Sequence, residues 1–277
     1  MSYLSAIILG LVQGVAEFLP ISSSGHLSIF QQFFQLADVE HDHMFFDVLL
    51  HLGTLIAVFV AYRKDIAELL REFFAMVHLR RLPAGQHPDL PARRMILMLV
   101  LATLPLLLVL PIKDAVETLY TNTFFIAFAL LLTGVLLFVS DRLPRGSKTA
   151  RNASMVDALL VGAAQAVAVV PGLSRSGTTI TAGMARGFDR SFAVKFSFLL
   201  SIPAVLGANI LSISDAIQAG IDTSLLPVYL VGVLVAMVSG YAAIGLLRFV
   251  ARKGRFGGFA YYCWGAGLVT LILSLIS

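Results

Sequence analysis

Two short polar stretches interrupt a chain that is otherwise strongly apolar. The first reads QGVAEFLPISSSGH over 13–26, and the second reads QAVAVVPGLSRSGTT over 165–179. Together they hold a carboxylate, a guanidinium, an imidazole and several hydroxyls. Groups of these kinds bind phosphate oxygens and move protons. The two stretches therefore indicate a site for a phosphate or diphosphate.

Residue type and spacing give each candidate a role. Gln13 and Glu17 are four residues apart and share one helix face. A carboxylate at membrane depth is a functional candidate, because it is costly to bury there. Arg175 stays charged and matches the oxygens of a phosphate. Ser23 is a candidate nucleophile or phosphate ligand, and His26 is a candidate general acid or base.

Small residues and hydroxyls surround both breaks and are predicted to contact the anion. A helix is expected to start after each break, and helix N-termini attract anions. Two plainer interpretations stay open: the serines act only as helix caps, and Glu17 pairs with Arg175 only to hold the two stretches together. The predicted substrate-binding residues are Gln13, Ser22, Ser24, Gly172, Ser174, Ser176, Gly177 and Thr179.

The composition places the chain in a membrane. Of 277 residues, 58% are hydrophobic and 13% are charged, and the mean hydropathy is +0.89. A soluble domain cannot bury that much apolar surface. The single cysteine excludes a disulfide framework and a thiolate metal cluster. The net charge of +4 is attributed to loops on one side of the membrane, so no nucleic-acid partner is expected.

Apolar runs and loop charges predict the topology. The two interrupted segments, 3–36 and 155–185, are expected to enter and leave the membrane by the same face. All basic residues except Lys113 and Arg175 then fall in loops on one side, which the positive-inside rule makes cytoplasmic. Six runs are long enough to cross a bilayer as helices. The predicted spans are 44–62, 95–112, 124–140, 196–213, 227–247 and 258–276.

The second half of the chain resembles the first. When Gln13 is aligned with Gln165, the two breaks coincide, and Glu17 falls on Val169. The predicted repeats are 1–140 and 155–277. Their opposite orientations predict an all-α integral membrane protein with six transmembrane helices and two re-entrant helical hairpins in an inverted-topology repeat. Small residues at every fourth position are predicted to pack closely. They are Ala6, Gly10 and Gly14, and Ala158, Gly162 and Ala166.

The two motifs together resemble the signatures of the undecaprenyl pyrophosphate phosphatases, often called bacitracin-resistance proteins. The similarity covers essentially the whole chain. It implies hydrolysis of undecaprenyl diphosphate to undecaprenyl phosphate and phosphate, which recycles the carrier lipid for peptidoglycan and counters bacitracin. It also implies a homodimer in the bacterial inner membrane, a cavity open toward the periplasm, and a divalent cation, Mg²⁺ or Ca²⁺.

The resemblance also implies roles for individual residues. The first signature falls on Gln13, Glu17, Ser23 and His26, and the second on Ser174, Arg175, Ser176 and Thr179. Many members have Glu where this chain has Gln13. A metal site on Gln13 and Glu17 would therefore lose one ligand charge. The acid–base role is assigned to Glu17 and His26, and the nucleophile is either Ser23 or a water beside it.

The sequence also bears on three other classes of protein. A transporter or flippase of a polyprenyl phosphate lipid would also use broken helices and inverted repeats, and release of phosphate in detergent would separate it from an enzyme. The type 2 phosphatidic-acid phosphatases are rejected, because Thr181 stands where they need a histidine and the chain has no Arg-Pro pair. A purely structural protein would not explain the polar residues at two matched breaks.

Remaining polar residues carry weaker predictions. Asp47 and His51 share a helix face and are candidates for lining the cavity. The outer-loop stretch 41–43 is interpreted as solvated, in preference to a metal site. The amphipathic loop 63–94 is expected to lie on the cytoplasmic leaflet.

Overall fold

The computed structural model describes residues 1–34, 43–77, 89–219 and 223–276. The predicted polar loop at His41 and Asp42 lies outside the described residues. The helices of the first half are α1 (Tyr3–Phe18), α2 (Ser23–Phe34), α3 (His43–Ala61), α4 (Arg63–Met76), α5 (Leu90–Thr103), α6 (Lys113–Glu117) and α7 (Thr123–Ser140).

The second half continues in the same way, with no strand in the described ranges apart from one isolated bridge between Lys148 and Phe188. Short 3₁₀ turns join α5 to α6, α6 to α7 and α10 to α11. The helices are α8 (Met155–Val167), α9 (Arg175–Ala185), α10 (Arg190–Ala219), α11 (Leu226–Lys253) and α12 (Gly257–Ile276).

Several helices are long and apolar enough to cross a membrane. Five continuous stretches meet this requirement, and a sixth is added when α3 and α4 count as one bent span. The helix α4 turns away from α3 by 85°. By contrast, α1 and α8 are shorter apolar helices of 16 and 13 residues. The chain is therefore an all-helical, multi-pass membrane protein, as the sequence predicts.

Polar caps fix where several helices begin. The Ser2 and Asp89 side chains accept hydrogen bonds from backbone N–H groups in the first turns of α1 and α5, and Asn122 does the same for α7. Ser154 and Asp157 form a reciprocal capping box at the start of α8. These caps satisfy N–H groups that an apolar surrounding could not.

Glycines let the two short helices pack tightly on long ones. A Cβ on Gly10 of α1 would lie 2.4 Å from the Gly232 carbonyl oxygen of α11. A Cβ on Gly162 of α8 would lie 2.2 Å from the Ala102 carbonyl oxygen of α5. Neither distance is possible for a real side chain. The prediction that these glycines serve close packing is confirmed.

The packing partners come in matched pairs. The short helix α1 packs on α11, and α8 packs on α5. The first spans of the two halves, α3 and α10, pack together, and so do the last spans, α7 and α12. This is the arrangement expected of two interlocked repeats. The repeat boundaries themselves stay a prediction.

The basic loops gather at one end of the molecule. Lys195 of α10 pairs with Asp65 of α4, and Arg94 donates to backbone carbonyls of the 142–153 loop. Arg190 donates to the Gly254 carbonyl oxygen at the end of α11. We call this end the basic end. It unites the four loops that the charge pattern places on one side.

One ion-pair cluster at the basic end involves both ends of the second interrupted segment. Asp157, in the first turn of α8, is fully buried. It accepts hydrogen bonds from Lys148 Nζ at 2.8 Å and from Arg186 Nε, next to the last residue of α9, at 2.9 Å. The segment α8–α9 therefore starts and finishes at the same end, which is compatible with the predicted re-entrant hairpin.

Candidate active site

The first break separates α1 from α2 and is held by its own serine. Ser22 lies in the left-handed region with φ 73°, which non-glycine residues seldom adopt. Its Oγ accepts a hydrogen bond from the Gly25 N–H at 3.2 Å. This conformation turns the chain sharply after Pro20 and starts α2 at Ser23.

The second break separates α8 from α9 and uses the same kind of cap. Gly172 supplies the left-handed conformation with φ 87°, and the Ser174 Oγ accepts from the Gly177 N–H at 3.1 Å. Thr133 of α7 anchors this break from outside. Its hydroxyl donates to the Gly172 carbonyl oxygen at 3.2 Å and accepts from the Ser174 N–H at 3.1 Å.

The two breaks touch each other. The Ser176 hydroxyl donates to the Leu19 carbonyl oxygen at 3.3 Å, and the Gly172 N–H donates to Ser24 Oγ at 3.4 Å. A Cβ on Gly25 would lie 3.1 Å from the Gly172 Cα. Residues separated by about half the chain are therefore brought into one compact junction.

Glu17 is the centre of the polar cluster at this junction. It is only 7% exposed. Its Oε2 accepts hydrogen bonds from Ser23 Oγ at 2.6 Å and from Gln13 Nε2 at 3.1 Å. Its Oε1 pairs with Arg175 Nη2. A charge buried this deeply needs such compensation.

Two cationic or basic side chains flank this carboxylate. Arg175 uses Nη2 for Glu17, while its Nη1 is buried without a hydrogen-bond partner among the described residues. His51 of α3 places Nε2 3.9 Å from Glu17 Oε2. We call Gln13, Glu17, Ser23, His51 and Arg175 the Glu17 cluster. It combines a carboxylate, a hydroxyl and a guanidinium with one spare donor.

His26 belongs to a different hydrogen-bond environment. Its Nδ1 donates to the Ser22 carbonyl oxygen at 2.7 Å, so its Nε2 accepts from the Tyr262 hydroxyl at 2.8 Å. The two rings stack with centroids 5.5 Å apart. His26 is 7% exposed, and both of its nitrogens are engaged. Its assignment to proton transfer stays a prediction.

The predicted substrate-binding hydroxyls mostly support the backbone. Ser22 and Ser174 cap their helices, and Ser176 bridges the breaks. The Thr179 hydroxyl donates to the Arg175 carbonyl oxygen at 2.9 Å and lies 2.7 Å from the Ser197 hydroxyl. Within the described residues these groups build the junction, and their contact with substrate stays a prediction.

A resident divalent cation fits this donor set poorly. Both Glu17 oxygens are already engaged, one of them with the guanidinium of Arg175. Gln13 Oε1 is the one oxygen of the two predicted ligands without a hydrogen bond in the described structure. No cluster of three His, Cys, Asp or Glu side chains able to hold a metal occurs in the described ranges. Mg²⁺ and Ca²⁺ need six or more oxygen ligands.

Sequence reasoning missed two contributors to the site, Thr133 and Tyr262, and gave a third, His51, only a minor role. Thr133 and Tyr262 lie in apolar spans far along the chain, and nothing in their local pattern distinguishes them from packing residues. His51 was predicted only as a cavity-lining candidate. The signal that connects it to Glu17 is its three-dimensional proximity.

Fold and site together define a class of protein. It is a multi-pass helical membrane protein in which two broken segments bring a carboxylate, a hydroxyl and a guanidinium together. Residues 6–269 match the family described as "Bacitracin resistance protein BacA". Since this match covers nearly the whole sequence, the chain belongs to the bacitracin resistance protein BacA family.

Similar proteins match over their whole length. The chain is 38% identical to an "Undecaprenyl-diphosphatase" of Alkaliphilus metalliredigens over 100% of both chains. It is 41% identical to a protein of that name from Methanobrevibacter smithii over 99% of both chains. For the one from Methanosphaera stadtmanae the identity is 39%, over 99% of this chain and 98% of the relative.

Proposed function

We propose that this protein hydrolyses undecaprenyl diphosphate to undecaprenyl phosphate and inorganic phosphate. Its family and the name shared by its full-length relatives support this reaction. The observation that carries the assignment within the molecule is the Glu17 cluster, in which Ser23 and Arg175 meet one buried carboxylate. The reaction returns the carrier lipid for peptidoglycan synthesis, and a greater capacity for it counters bacitracin.

The geometry supports a role in the reaction for each of Arg175, Ser23 and Glu17. The spare Nη1 of Arg175 binds the terminal phosphate and stabilises the charge that builds on its oxygens. Ser23, or a water beside it, attacks the terminal phosphorus. Ser23 is already within proton-transfer distance of Glu17, at 2.6 Å. The bond from the terminal phosphorus to the bridging oxygen breaks, and undecaprenyl phosphate leaves with that oxygen. When Ser23 is the nucleophile, a water then hydrolyses the phosphoserine and releases inorganic phosphate; when a water is the nucleophile, inorganic phosphate forms directly.

The substrate diphosphate, more than Glu17 and Gln13, would hold the divalent cation that the family resemblance implies. A diphosphate supplies several oxygens to Mg²⁺ or Ca²⁺, and Mg²⁺ in particular binds through substrate phosphates and retained waters. Both carboxylate oxygens of Glu17 already have protein partners, which supports a cation held by the substrate over a metal resident in the protein. Adding the cation to the protein alone should then show no tight binding.

Membrane placement follows from the charge distribution. We propose that the basic end faces the cytoplasm of the inner membrane, because positive loops are retained there. The family resemblance supports a site that opens toward the periplasmic face, and the polyprenyl tail would stay in the lipid beside the spans. The family resemblance supports a homodimer. A single-cysteine labelling series in sealed cells tests the orientation of the ends.

The decisive experiment is phosphate release from undecaprenyl diphosphate by the purified protein in detergent, with Mg²⁺ or Ca²⁺ supplied. Wild type is expected to turn over. Glu17→Ala and Arg175→Ala are each expected to reduce kcat by about 10²- to 10³-fold, since each removes a group that stabilises the developing charge or the nucleophile.

A second buried ion pair provides the matched control. Glu72 is 1% exposed and accepts a hydrogen bond from Arg93 at 2.9 Å at the basic end. Glu72→Ala and Arg93→Ala should reduce stability while kcat stays near wild type. No release by wild type would overturn the phosphatase assignment and favour a polyprenyl phosphate carrier, because detergent removes the two sides that transport needs.

A further inference from the structure

Thr133 of α7 holds the backbone of the second break with a single hydroxyl group. The hydroxyl donates to the Gly172 carbonyl oxygen at 3.2 Å and accepts from the Ser174 N–H at 3.1 Å. Gly172 lies after the last residue of α8, and Ser174 is the N-cap of α9. These two buried backbone groups therefore stand outside the hydrogen-bond ladders of both helices. Buried groups of this kind need another partner, and Thr133 supplies it.

The first break has a corresponding contact from the other half of the chain. When Gln13 is aligned with Gln165, Pro20 falls on Gly172. The Pro20 carbonyl oxygen accepts a hydrogen bond from Cys263 Sγ of α12 at 3.7 Å. Each break is thus held at the aligned carbonyl by the last span of the opposite half. A thiol is a weak donor, so the hydroxyl at the second break forms the stronger contact.

The place of this stronger contact in the chain links it to Arg175. Arg175 is the first residue of α9 and directly follows Ser174, whose N–H the hydroxyl holds. Its Nη2 pairs with Glu17 across the junction, while its buried Nη1 has no hydrogen-bond partner among the described residues. Gly172 has φ 87°, and a glycine leaves the turn before α9 more backbone freedom than another residue would. A shift of this turn would move the Arg175 backbone and, with it, the spare nitrogen.

We propose that Thr133 is a positioning residue for the phosphatase reaction: its hydroxyl fixes the second break so that the Arg175 guanidinium meets the terminal phosphate of the substrate. Thr133 acts through the backbone of Gly172 and Ser174 rather than by contact with the reacting atoms. A misplaced guanidinium would lower kcat more than substrate binding, because its contact matters most in the transition state. The inference rests on the phosphatase reaction proposed above and adds one residue to it.

The test measures kcat and KM of three Thr133 variants in the detergent assay. Thr133→Val keeps the shape of the side chain but removes both hydrogen bonds, and it should reduce kcat about ten-fold while KM changes less than about two-fold. Thr133→Ser keeps the hydroxyl and should stay near wild type. Thr133→Cys replaces the serine oxygen by sulfur, and its weaker hydrogen bonding should place kcat between those of the other two. This comparison of serine with cysteine keeps the test decisive if the valine variant does not fold.

A double variant shows whether Thr133 acts through Arg175. Arg175→Ala alone is expected to lower kcat strongly. Adding Thr133→Val to it should cause no further loss, because the group that Thr133 positions is already absent. A side chain that only stabilised the fold would instead lower kcat by the same factor with and without Arg175.

A buried threonine in α12 provides the matched control. Thr270 is 2% exposed, and its hydroxyl donates to the Ala266 carbonyl oxygen of its own helix at 2.8 Å. Thr270→Val makes the same substitution at a buried hydroxyl that belongs to neither break, and it should leave kcat near wild type. Thermal unfolding in detergent establishes that both valine variants are folded.

Four results would overturn the role of Thr133: unchanged kcat in Thr133→Val, a loss confined to KM, equal kcat in the serine and cysteine variants, or a further kcat loss in the double variant. Each of them leaves the phosphatase reaction intact, because wild type still releases phosphate. Failure of wild type to turn over would instead remove the reaction on which the role rests.

Discussion

The two breaks are built alike but carry different chemistry. At the first, Ser22 Oγ caps the Gly25 N–H at 3.2 Å, and at the second, Ser174 Oγ caps the Gly177 N–H at 3.1 Å. In both, a second serine hydroxyl two residues later lies within 3.4 Å of the capping hydroxyl. The backbone frame is therefore shared between the two halves.

The two breaks differ in the side chains at their aligned positions. The first break offers Glu17 and Ser23, and the aligned positions of the second are Val169 and Arg175. The single Arg175 then pairs with the single Glu17. The two breaks share a backbone arrangement, and the buried ion pair exists because they differ at these aligned positions.

The largest effect is expected at Ser23, the residue that aligns with Arg175. Ser23→Ala should reduce kcat by about 10³-fold, because it removes the hydroxyl held 2.6 Å from Glu17. Rapid-quench trapping of phosphoserine would assign the nucleophile to Ser23. The control is Ser28→Ala, which removes a hydrogen bond to the Tyr120 carbonyl oxygen elsewhere on α2. A kcat loss of equal size in both variants would show a general effect of α2 packing.

The two aligned glutamines are expected to differ, with an intermediate loss of kcat at Gln13 and none at Gln165. Gln13 donates to Glu17 at 3.1 Å, so Gln13→Leu should reduce kcat by about ten-fold. Gln165 is 1% exposed, and both of its amide atoms lack hydrogen-bond partners among the described residues. Gln165→Leu should keep kcat and raise stability by about 1 kcal/mol. Thermal unfolding in detergent measures the second quantity. A loss of activity in Gln165→Leu would contradict the expectation that, of the two glutamines, only Gln13 supports catalysis.

The smallest effect tests the backbone at the two caps. Replacing a cap by alanine should cost about 1 kcal/mol at either serine. At each position the stability of the glycine variant is compared with that of the alanine variant. This Gly-over-Ala difference should be about 1 kcal/mol larger at Ser22, which has φ 73°, than at Ser174, which has φ −73°. The measurement is the unfolding midpoint of the four variants. Equal Gly-over-Ala differences would show that Ser22 carries no backbone strain.

Much of the architecture follows from local patterns. The spans and the separation of basic loops depend on runs of apolar residues and on charge counts, which neighbouring residues determine. The break positions follow from Pro20 and Gly172 with their serine caps, and the small-residue spacing indicates which helix faces pack closely. The 85° bend between α3 and α4 was not predicted as an angle, although the amphipathic character of α4 was.

The sequence by itself determined the membrane class, the two breaks and the identity of Gln13, Glu17, Ser23 and Arg175 as candidates, since these depend on composition and on motifs within single segments. Only the tertiary structure decided which groups meet. Glu17 and Arg175 are 158 residues apart, and His26 and Tyr262 are 236 apart. Apolar residues face both lipid and neighbouring helices, so hydropathy does not specify which helices pack together. That packing places His51 beside Glu17 and directs His26 toward Tyr262.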